Sequence, residues 1–340
     1  MFVISKDIVS IVLWTTGRCN LACQYCYAGS THLKEDMYFE TAVQTLDLFS
    51  DQPMKIQFAG GEPLLNYPLI CQVVAYAKAK NYKASFQMQT NGTGITPEIA
   101  AGLKKMKIAL GVSLDGPPEV NEFARGKTRE VIAGIGCLAD EGIKINLNSV
   151  VTSHSVMQLP KLVNFAYYLG NVGGIGLDLL RDAGRARNNP DTIKKATPEQ
   201  LQKALKEMAE TARELYQLTD KKIVIREIDE ARQRLKMSSC DKAYCYASCG
   251  RSYVVLPNGD VYPCGSLIDN PEYFMGNVKN QTLTSIAIGR SEPEVCKNCD
   301  YFAICPGGCP SRLLINGEIG QDASLDCVLK KAAFALAREY

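Results

Sequence analysis

Short apolar runs rich in β-branched residues recur through the first two-thirds of the chain, at 8–14, 55–58, 83–89, 109–113, 144–151 and 174–180. Runs of this length bounded by polar or glycine-containing stretches read as buried strands. Between them, segments 39–49, 67–80, 96–106, 128–141 and 158–169 read as helices. Strand and helix in alternation predict a parallel sheet with helices packed outside it. A further helix is predicted from Pro198, where Thr197 and Gln200 form a capping box and proline takes the first helical position. Its apolar residues Leu201, Leu205, Met208, Ala212 and Leu215 follow a helical period and predict a core-facing stripe.

The pattern changes after Met237. Helical periodicity nearly disappears, and nine of the chain's 14 cysteines lie between Cys240 and Cys327. Segments 251–256 and 260–263 flank Asn258-Gly259, a two-residue hairpin signal because both residues tolerate positive φ. The remainder reads as loops held by something other than a large core, and metal clusters would serve. The expected organisation is therefore α/β: residues 1–235 as one domain and 236–340 as a cysteine-rich, loop-dominated second.

Composition narrows the chemistry. A net charge of +2 from 38 basic and 36 acidic side chains gives no field that attracts nucleic acid or an anionic membrane. The apolar run at 8–14 is far shorter than the roughly 20 residues a spanning helix needs, which favours a cytoplasmic protein. His32 and His154 are the only histidines, and neither has a cysteine or acidic motif beside it, so a histidine-based triad or mixed Cys/His zinc site has little to draw on. Disulfides suit small secreted domains better than this long chain without an export signal. All-cysteine zinc sites and iron–sulfur clusters remain.

Cys19, Cys23 and Cys26 stand within eight residues directly after the first predicted strand. Three cysteines at this spacing also share a helical face and could be packing residues, but Thr15-Thr16-Gly17-Arg18 ahead of them reads as a loop. Structural zinc takes four protein ligands, and only three are present. Three thiolates on a four-iron cube leave one iron open to a small molecule. Here the sequence resembles the radical S-adenosylmethionine superfamily, whose signature is CxxxCxxC with an aromatic residue, here Tyr25, before the third cysteine. The resemblance implies that the open iron chelates S-adenosyl-L-methionine, and that one electron from the [4Fe-4S] cluster generates a 5′-deoxyadenosyl radical that takes a hydrogen atom from substrate.

The same family has a GGEP segment after the second strand, matched by Gly60-Gly61-Glu62-Pro63. There the resemblance implies small residues that let the backbone approach the cofactor and polar groups that take its ammonium. Asn91 at the end of the third strand, Ser113 and Asp115 at the fourth, Arg125 shortly after, and Asn148 on the fifth match cofactor-binding positions. The implied fold is a partial (β/α)6 barrel of TIM type with its chemistry at the C-terminal rim of the strands.

The C-terminal cysteines resemble the SPASM domain. Cys249-x9-Gly259-x4-Cys264 is followed by Cys296-x2-Cys299-x5-Cys305-x3-Cys309 and Cys327. The resemblance implies two auxiliary [4Fe-4S] clusters, three clusters in all: Cys245, Cys249, Cys264 and Cys309 at the first, Cys296, Cys299, Cys305 and Cys327 at the second. Cys240 competes with Cys245 as the upstream ligand. Two four-cysteine zinc sites are the alternative, since zinc and iron share sulfur coordination. Cys71 and Cys137 lie on helical segments outside these motifs and read as packing residues.

SPASM-bearing enzymes mostly modify peptides or proteins, so the implied activity is oxidative or cross-linking maturation, or epimerisation, of a ribosomally made peptide in a low-oxygen setting. The resemblance also implies an external electron donor such as a flavodoxin or ferredoxin. Anaerobic sulfatase maturases have similar cysteine spacings but carry an acidic residue after the second SPASM cysteine, where this chain has Gly265. Only 18 residues precede Cys19, too few for a leader-peptide-binding domain, so peptide recognition is expected from the barrel mouth, the SPASM surface or a separate leader-peptide-binding protein. The loop from Arg181 to Arg187 could grip a peptide carboxylate or be a solvated charge run. A non-catalytic iron–sulfur carrier is the remaining class, and the GGEP loop speaks against it.

Overall fold

The computed structural model describes residues 7–30, 33–237, 243–290, 292–321 and 324–339. His32 and Cys240 fall outside these residues. Six parallel strands run in chain order: β1 (Val9–Thr16), β2 (Met54–Gly60), β3 (Ala84–Thr90), β4 (Ala109–Ser113), β5 (Ile145–Val151) and β6 (Val172–Leu179). A two-residue β7 (Val224–Ile225) extends the edge beside β6. The connections carry α1 (Phe39–Leu48), α2 (Tyr67–Ala79), α3 (Pro97–Met106), α4 (Pro118–Ala124), α5 (Thr128–Asp140) and α6 (Leu159–Leu169). After β6 come α7 (Arg185–Asn188) and α8 (Pro198–Thr219), the latter opened by the Thr197/Gln200 capping box.

The period of two along each strand separates two environments. Ile11, Leu13, Ile56, Phe58 and Leu147 are wholly buried and pack with the helices in one apolar core. The alternate positions carry amides instead: Gln57, Gln87, Gln89, Asn146 and Asn148 line an interior cavity of about 380 Å³. Within it the Gln87 side-chain amide donates to Gln57 Oε1 at 2.8 Å. The barrel interior is thus polar and open, available to a ligand.

The last third joins the same sheet. After α9 (Arg226–Leu235), strand β8 (Ser252–Val255) pairs in parallel with β1, and β9 (Asp260–Tyr262), β10 (Gly276–Asn277) and β11 (Thr282–Leu283) follow antiparallel, giving 11 strands. The α/β barrel with a hairpin-bearing, cysteine-rich extension is the architecture the sequence predicts.

Two details correct that expectation. The turn spans the four residues Leu256–Gly259, closed by Gly259 N donating to Leu256 O at 2.9 Å, with Leu256 N donating to Asp260 O at 2.9 Å at its base. Only Gly259 has positive φ (+96°); the Asn258 side chain instead accepts from Asp260 N at 3.0 Å. The region also contains α10 (Pro310–Ile315) and a long helix, α11 (Leu325–Glu339), where the sequence predicts loops. Leu329, Ala333, Phe334 and Ala337 form its buried stripe, and it packs on α8 and α9. Its apolar partners belong to the barrel, so composition of the cysteine-rich region alone does not reveal it. Among the described residues no helix is long and apolar enough to cross a membrane.

Candidate functional site

The loop carrying Cys19, Cys23 and Cys26 leaves the C-terminal end of β1 and is clamped from both sides. On one side Gly61 N donates to Thr16 O and Glu62 N to Arg18 O, each at 2.9 Å. A Cβ on Gly60 would meet Thr16 O at 2.3 Å, and one on Gly61 would meet Arg18 O at 2.1 Å; Gly60 also has φ of +132°. These glycines therefore seat the stem of the cysteine loop. On the other side Arg185 donates from its backbone N to Cys26 O at 3.1 Å and from Nε to Cys23 O at 2.8 Å. The basic loop after β6 is thus engaged with the protein, neither a solvated charge run nor wholly free for a ligand.

Burial raises the Cys23 thiol, with Arg125 as the largest opposing influence, and burial also raises Cys19. Metal binding to such thiols must displace their protons. Among the described residues no three Cys, His, Asp or Glu side chains converge tightly enough to hold a single metal ion. Three thiols on one loop fit the donor set of an iron–sulfur cluster, which is held by cysteine thiolates.

The strand ends build two buried polar networks around this loop. Glu62, beside Pro63 at the end of β2, accepts from Thr90 Oγ1 at 2.6 Å, Asn91 N at 2.7 Å and Leu64 N at 3.1 Å. Burial raises its carboxyl, and these hydrogen bonds oppose the rise. Asn91 then donates to Asn20 Oδ1 at 2.8 Å, tying β3 to the cysteine loop. Asp115, wholly buried, is the centre of the second network: it accepts from the Tyr25 hydroxyl, from Arg125 Nε at 3.0 Å and Nη2 at 3.1 Å, and from Val150 N at 2.8 Å. The guanidinium of Arg125 also lies 5.2 Å from the Tyr25 ring centroid. Two of its donors are thus committed to Asp115. Ser113 accepts from Gln89 Nε2 at 2.9 Å, and Asn148 donates to Gln89 Oε1.

A chamber of about 660 Å³ runs from this rim to the C-terminal region. Cys23 and Cys26 line one end, Cys245, Cys264 and Cys309 the other, with Ser113, Arg125 and Asn148 between. Its wall at β6 and α9 is charged. Arg226 donates to Glu227 Oε1 at 3.0 and 2.7 Å and to Leu177 O at 2.6 Å, while Leu177 N also donates to Glu227 Oε1 at 3.0 Å. The other oxygen, Glu227 Oε2, and Arg181 Nε are buried without a hydrogen-bond partner among the described residues. Sequence reasoning missed Arg226 and Glu227, which open α9 and carry no motif.

The C-terminal cysteines line two cavities, Cys245, Cys264 and Cys309 the chamber and Cys296, Cys299, Cys305 and Cys327 another. Ser311 Oγ lies 3.4 Å from both Cys264 Sγ and Cys309 Sγ, and Arg181 Nη2 lies 3.7 Å from Cys309 Sγ. Burial, then the neighbouring Cys309, pushes the Cys245 thiol up to about 11. Cys249 turns its thiol to Tyr246 O at 3.3 Å. Cys296, Cys299, Cys305 and Cys327 surround a separate cavity of about 40 Å³. None of Cys19, Cys23, Cys26, Cys245, Cys264, Cys309 or these four is disulfide-bonded, so their donor atoms remain available to metal. Cys137 packs partly buried against the core, and Cys71 is half-buried on α2.

One ion network ties the region together. Arg312, three residues after Cys309, donates from Nε to Asp326 Oδ2 at 2.9 Å, from Nη2 to Asp326 Oδ1, and from Nη1 to Asp178 Oδ1 at 2.5 Å. Asp326, one residue before Cys327, accepts from Cys309 N at 2.8 Å. Arg181 Nη1 donates to Asp178 Oδ2 at 2.6 Å. Burial alone would raise Asp178, but Arg181 and Arg312 outweigh it and hold the carboxyl at about 2.

Comparison with known proteins covers both regions. Residues 15–166 match the radical SAM superfamily, and residues 245–300 match the SPASM iron–sulfur cluster-binding domain. An uncharacterised protein of Methanocaldococcus jannaschii is 32% identical over 267 residues, 76% of this chain and 85% of that protein. An AdoMet-dependent heme synthase of Nitratidesulfovibrio vulgaris is 27% identical, covering 89% of this chain and 87% of its own. The solved structure of anSMEcpe with bound AdoMet and the Cp18Cys peptide superposes with a TM-score of 0.79 at 21% identity, covering 98% of this chain and 97% of that one. The chain belongs to the radical S-adenosylmethionine superfamily, as a member with a SPASM domain.

Proposed function

We propose that this enzyme modifies a peptide or protein held in the chamber between the Cys19–Cys26 loop and the first SPASM cysteine set. The observation that carries the proposal is the single 660 Å³ cavity lined by Cys23 and Cys26 at one end and Cys245, Cys264 and Cys309 at the other. Cys19, Cys23 and Cys26 would hold the cofactor-binding cluster. Cys245, Cys249, Cys264 and Cys309 would hold one auxiliary [4Fe-4S] cluster, and Cys296, Cys299, Cys305 and Cys327 another, three in total. Bound at the cluster of Cys19, Cys23 and Cys26, S-adenosylmethionine would supply hydrogen-atom abstraction from substrate, given one electron from an external donor through that cluster.

The chain's own groups divide the remaining work. Ser113, Asn148 and Arg125 line the chamber and are the proposed direct contacts of the cofactor. Gly60, Gly61, Glu62, Pro63, Asn91 and Asp115 hold the cysteine loop against the strand ends. Peptide chemistry is favoured by the pairing of a cation and a carboxylate on the chamber lining, Arg181 seeking an acceptor and Glu227 a donor. A peptide backbone offers both. Formylglycine formation is disfavoured at Gly265, where an added Cβ would lie 3.0 Å from the Trp14 ring, leaving little room for an acidic side chain.

Anaerobic incubation of the reconstituted enzyme with candidate peptides, S-adenosylmethionine and a reductant, read by mass and by stereochemical analysis, tests this reading. Loss of two hydrogens or inversion of a residue supports it. Glu227→Gln should then raise the peptide KM by about 10–100-fold, the worth of one hydrogen bond to a charged group. Unchanged peptides alongside decarboxylation of an added coproporphyrin would overturn it.

A further inference from the structure

We infer that Arg290 sets the reduction potential of the cluster held by Cys296, Cys299, Cys305 and Cys327, by presenting positive charge and unpartnered N–H donors to the space those thiols enclose. The inference rests on the reading that these four cysteines bind an iron–sulfur cluster. Arg290 lines the same cavity as all four. Its side chain is only 14% exposed, and Nε and Nη1 are buried with no hydrogen-bond partner among the described residues. Glu292 approaches Nε at 3.5 Å but is itself half-exposed, so it satisfies neither the hydrogen bond nor the full charge.

The guanidinium is fixed in place. It lies 5.3 Å from the Phe302 ring centroid. Its stem passes Gly307, where an added Cβ would stand 3.4 Å from both Arg290 Cγ and Nε; with φ of +79° at Gly126 and +78° at Gly307, both positions favour glycine, but only Gly307 borders this site. The Gly307 N–H in turn donates to Cys305 Sγ at 3.4 Å.

A buried cation whose carboxylate neighbour, Glu292, stands 3.5 Å away and half-exposed is only partly compensated. Four thiolates around an iron–sulfur core supply the missing anion. Reduction adds one electron to that anionic group, so a nearby cation and N–H donors stabilise the reduced form more than the oxidised one and raise the potential. The same charge explains why the site needs arginine: a guanidinium keeps its charge at any working pH and can direct several donors at neighbouring sulfurs.

The test is an EPR-monitored redox titration of the reconstituted protein in a Cys19→Ala/Cys23→Ala/Cys26→Ala background, with Arg290, Arg290→Met or Arg290→Lys. Iron and sulfide are counted in each. Arg290→Met should weaken the reduction equilibrium of one couple by about tenfold, a downward shift of about 59 mV for one electron. Arg290→Lys, which keeps the charge, should recover part of it. A full complement of iron with unchanged couples in Arg290→Met would overturn the inference while leaving the cluster assignment intact. If Cys296→Ala/Cys299→Ala removes no iron from the parent, the cluster assignment fails and the inference with it. Should Arg290→Met lose iron, Arg290→Lys decides: an intact cluster at the parental or an intermediate potential supports the role, and a potential raised above the parent refutes it.

Discussion

Replacing Arg312 with methionine removes a charge from the most deeply buried ion pair of the protein's C-terminal region. Arg312 and Asp326 are each about 3% exposed, and the arginine makes three charge-assisted hydrogen bonds, two to Asp326 and one to Asp178. Asp178 keeps Arg181 after the change, but Asp326 is left buried with only the Cys309 N–H facing it. Breaking a buried pair from one side costs about 3–5 kcal/mol, because the stranded charge loses its partner without regaining water. For 340 residues, at about 2.1 cal/mol/K of unfolding entropy per residue, the melting temperature should fall by roughly 4–7 °C. Thermal unfolding followed by circular dichroism measures it. Arg312→Met/Asp326→Asn removes the stranded charge while keeping an oxygen for Cys309 N, so the double variant should be more stable than Arg312→Met. A double variant as unstable as the sum of its singles, or an Arg312→Met shift below about 1 °C, would refute the reasoning.

Other perturbations address the first cysteine loop and the charge network. Gly61→Ala puts a Cβ at 2.1 Å from Arg18 O, so the loop stem must move, and the purified variant should lack one cluster's iron after reconstitution; a full complement contradicts the packing role. Tyr25→Phe removes one of four donors to Asp115 and should cost about 1 kcal/mol in thermal stability, with Arg125 and Val150 N still in place. The Asp178 carboxyl, ordinarily near 3.8, is held at about 2, so its contribution is present above about pH 4 and is lost as pH falls towards 2. Discounted for its exposure to the chamber, that contribution is about 1 kcal/mol. The stability gap between the protein and Asp178→Asn should therefore close across that range, and a gap constant with pH would show that the ion pairs contribute nothing.

What the sequence made legible follows from which physical signals are local. The six barrel strands and their helices are written in apolar periods, and the Thr197/Gln200 box marks the start of α8. Cys19, Cys23 and Cys26 are visible because chemistry fixes their spacing. The purpose of Gly60 and Gly61 was not visible, since the backbone they accommodate at Thr16 and Arg18 lies more than forty residues earlier in the chain. Arg312, Asp326 and Asp178 likewise form a unit only in space. Helix α11 escaped notice because its buried stripe faces α8 and α9, outside the region whose composition it shares. Asn258 resembled a positive-φ turn residue, yet its side chain serves the turn by accepting from Asp260 N.

The central claim is that the Cys19–Cys26 loop supports reductive cleavage of S-adenosylmethionine. The most direct test is chromatographic measurement of 5′-deoxyadenosine after anaerobic incubation of the reconstituted protein with S-adenosylmethionine and dithionite. The account predicts 5′-deoxyadenosine from the protein and none from Cys19→Ala/Cys23→Ala/Cys26→Ala, which should still retain iron at its C-terminal cysteines. A fully reconstituted protein that forms no 5′-deoxyadenosine, or a triple variant that forms as much as its parent, would contradict it.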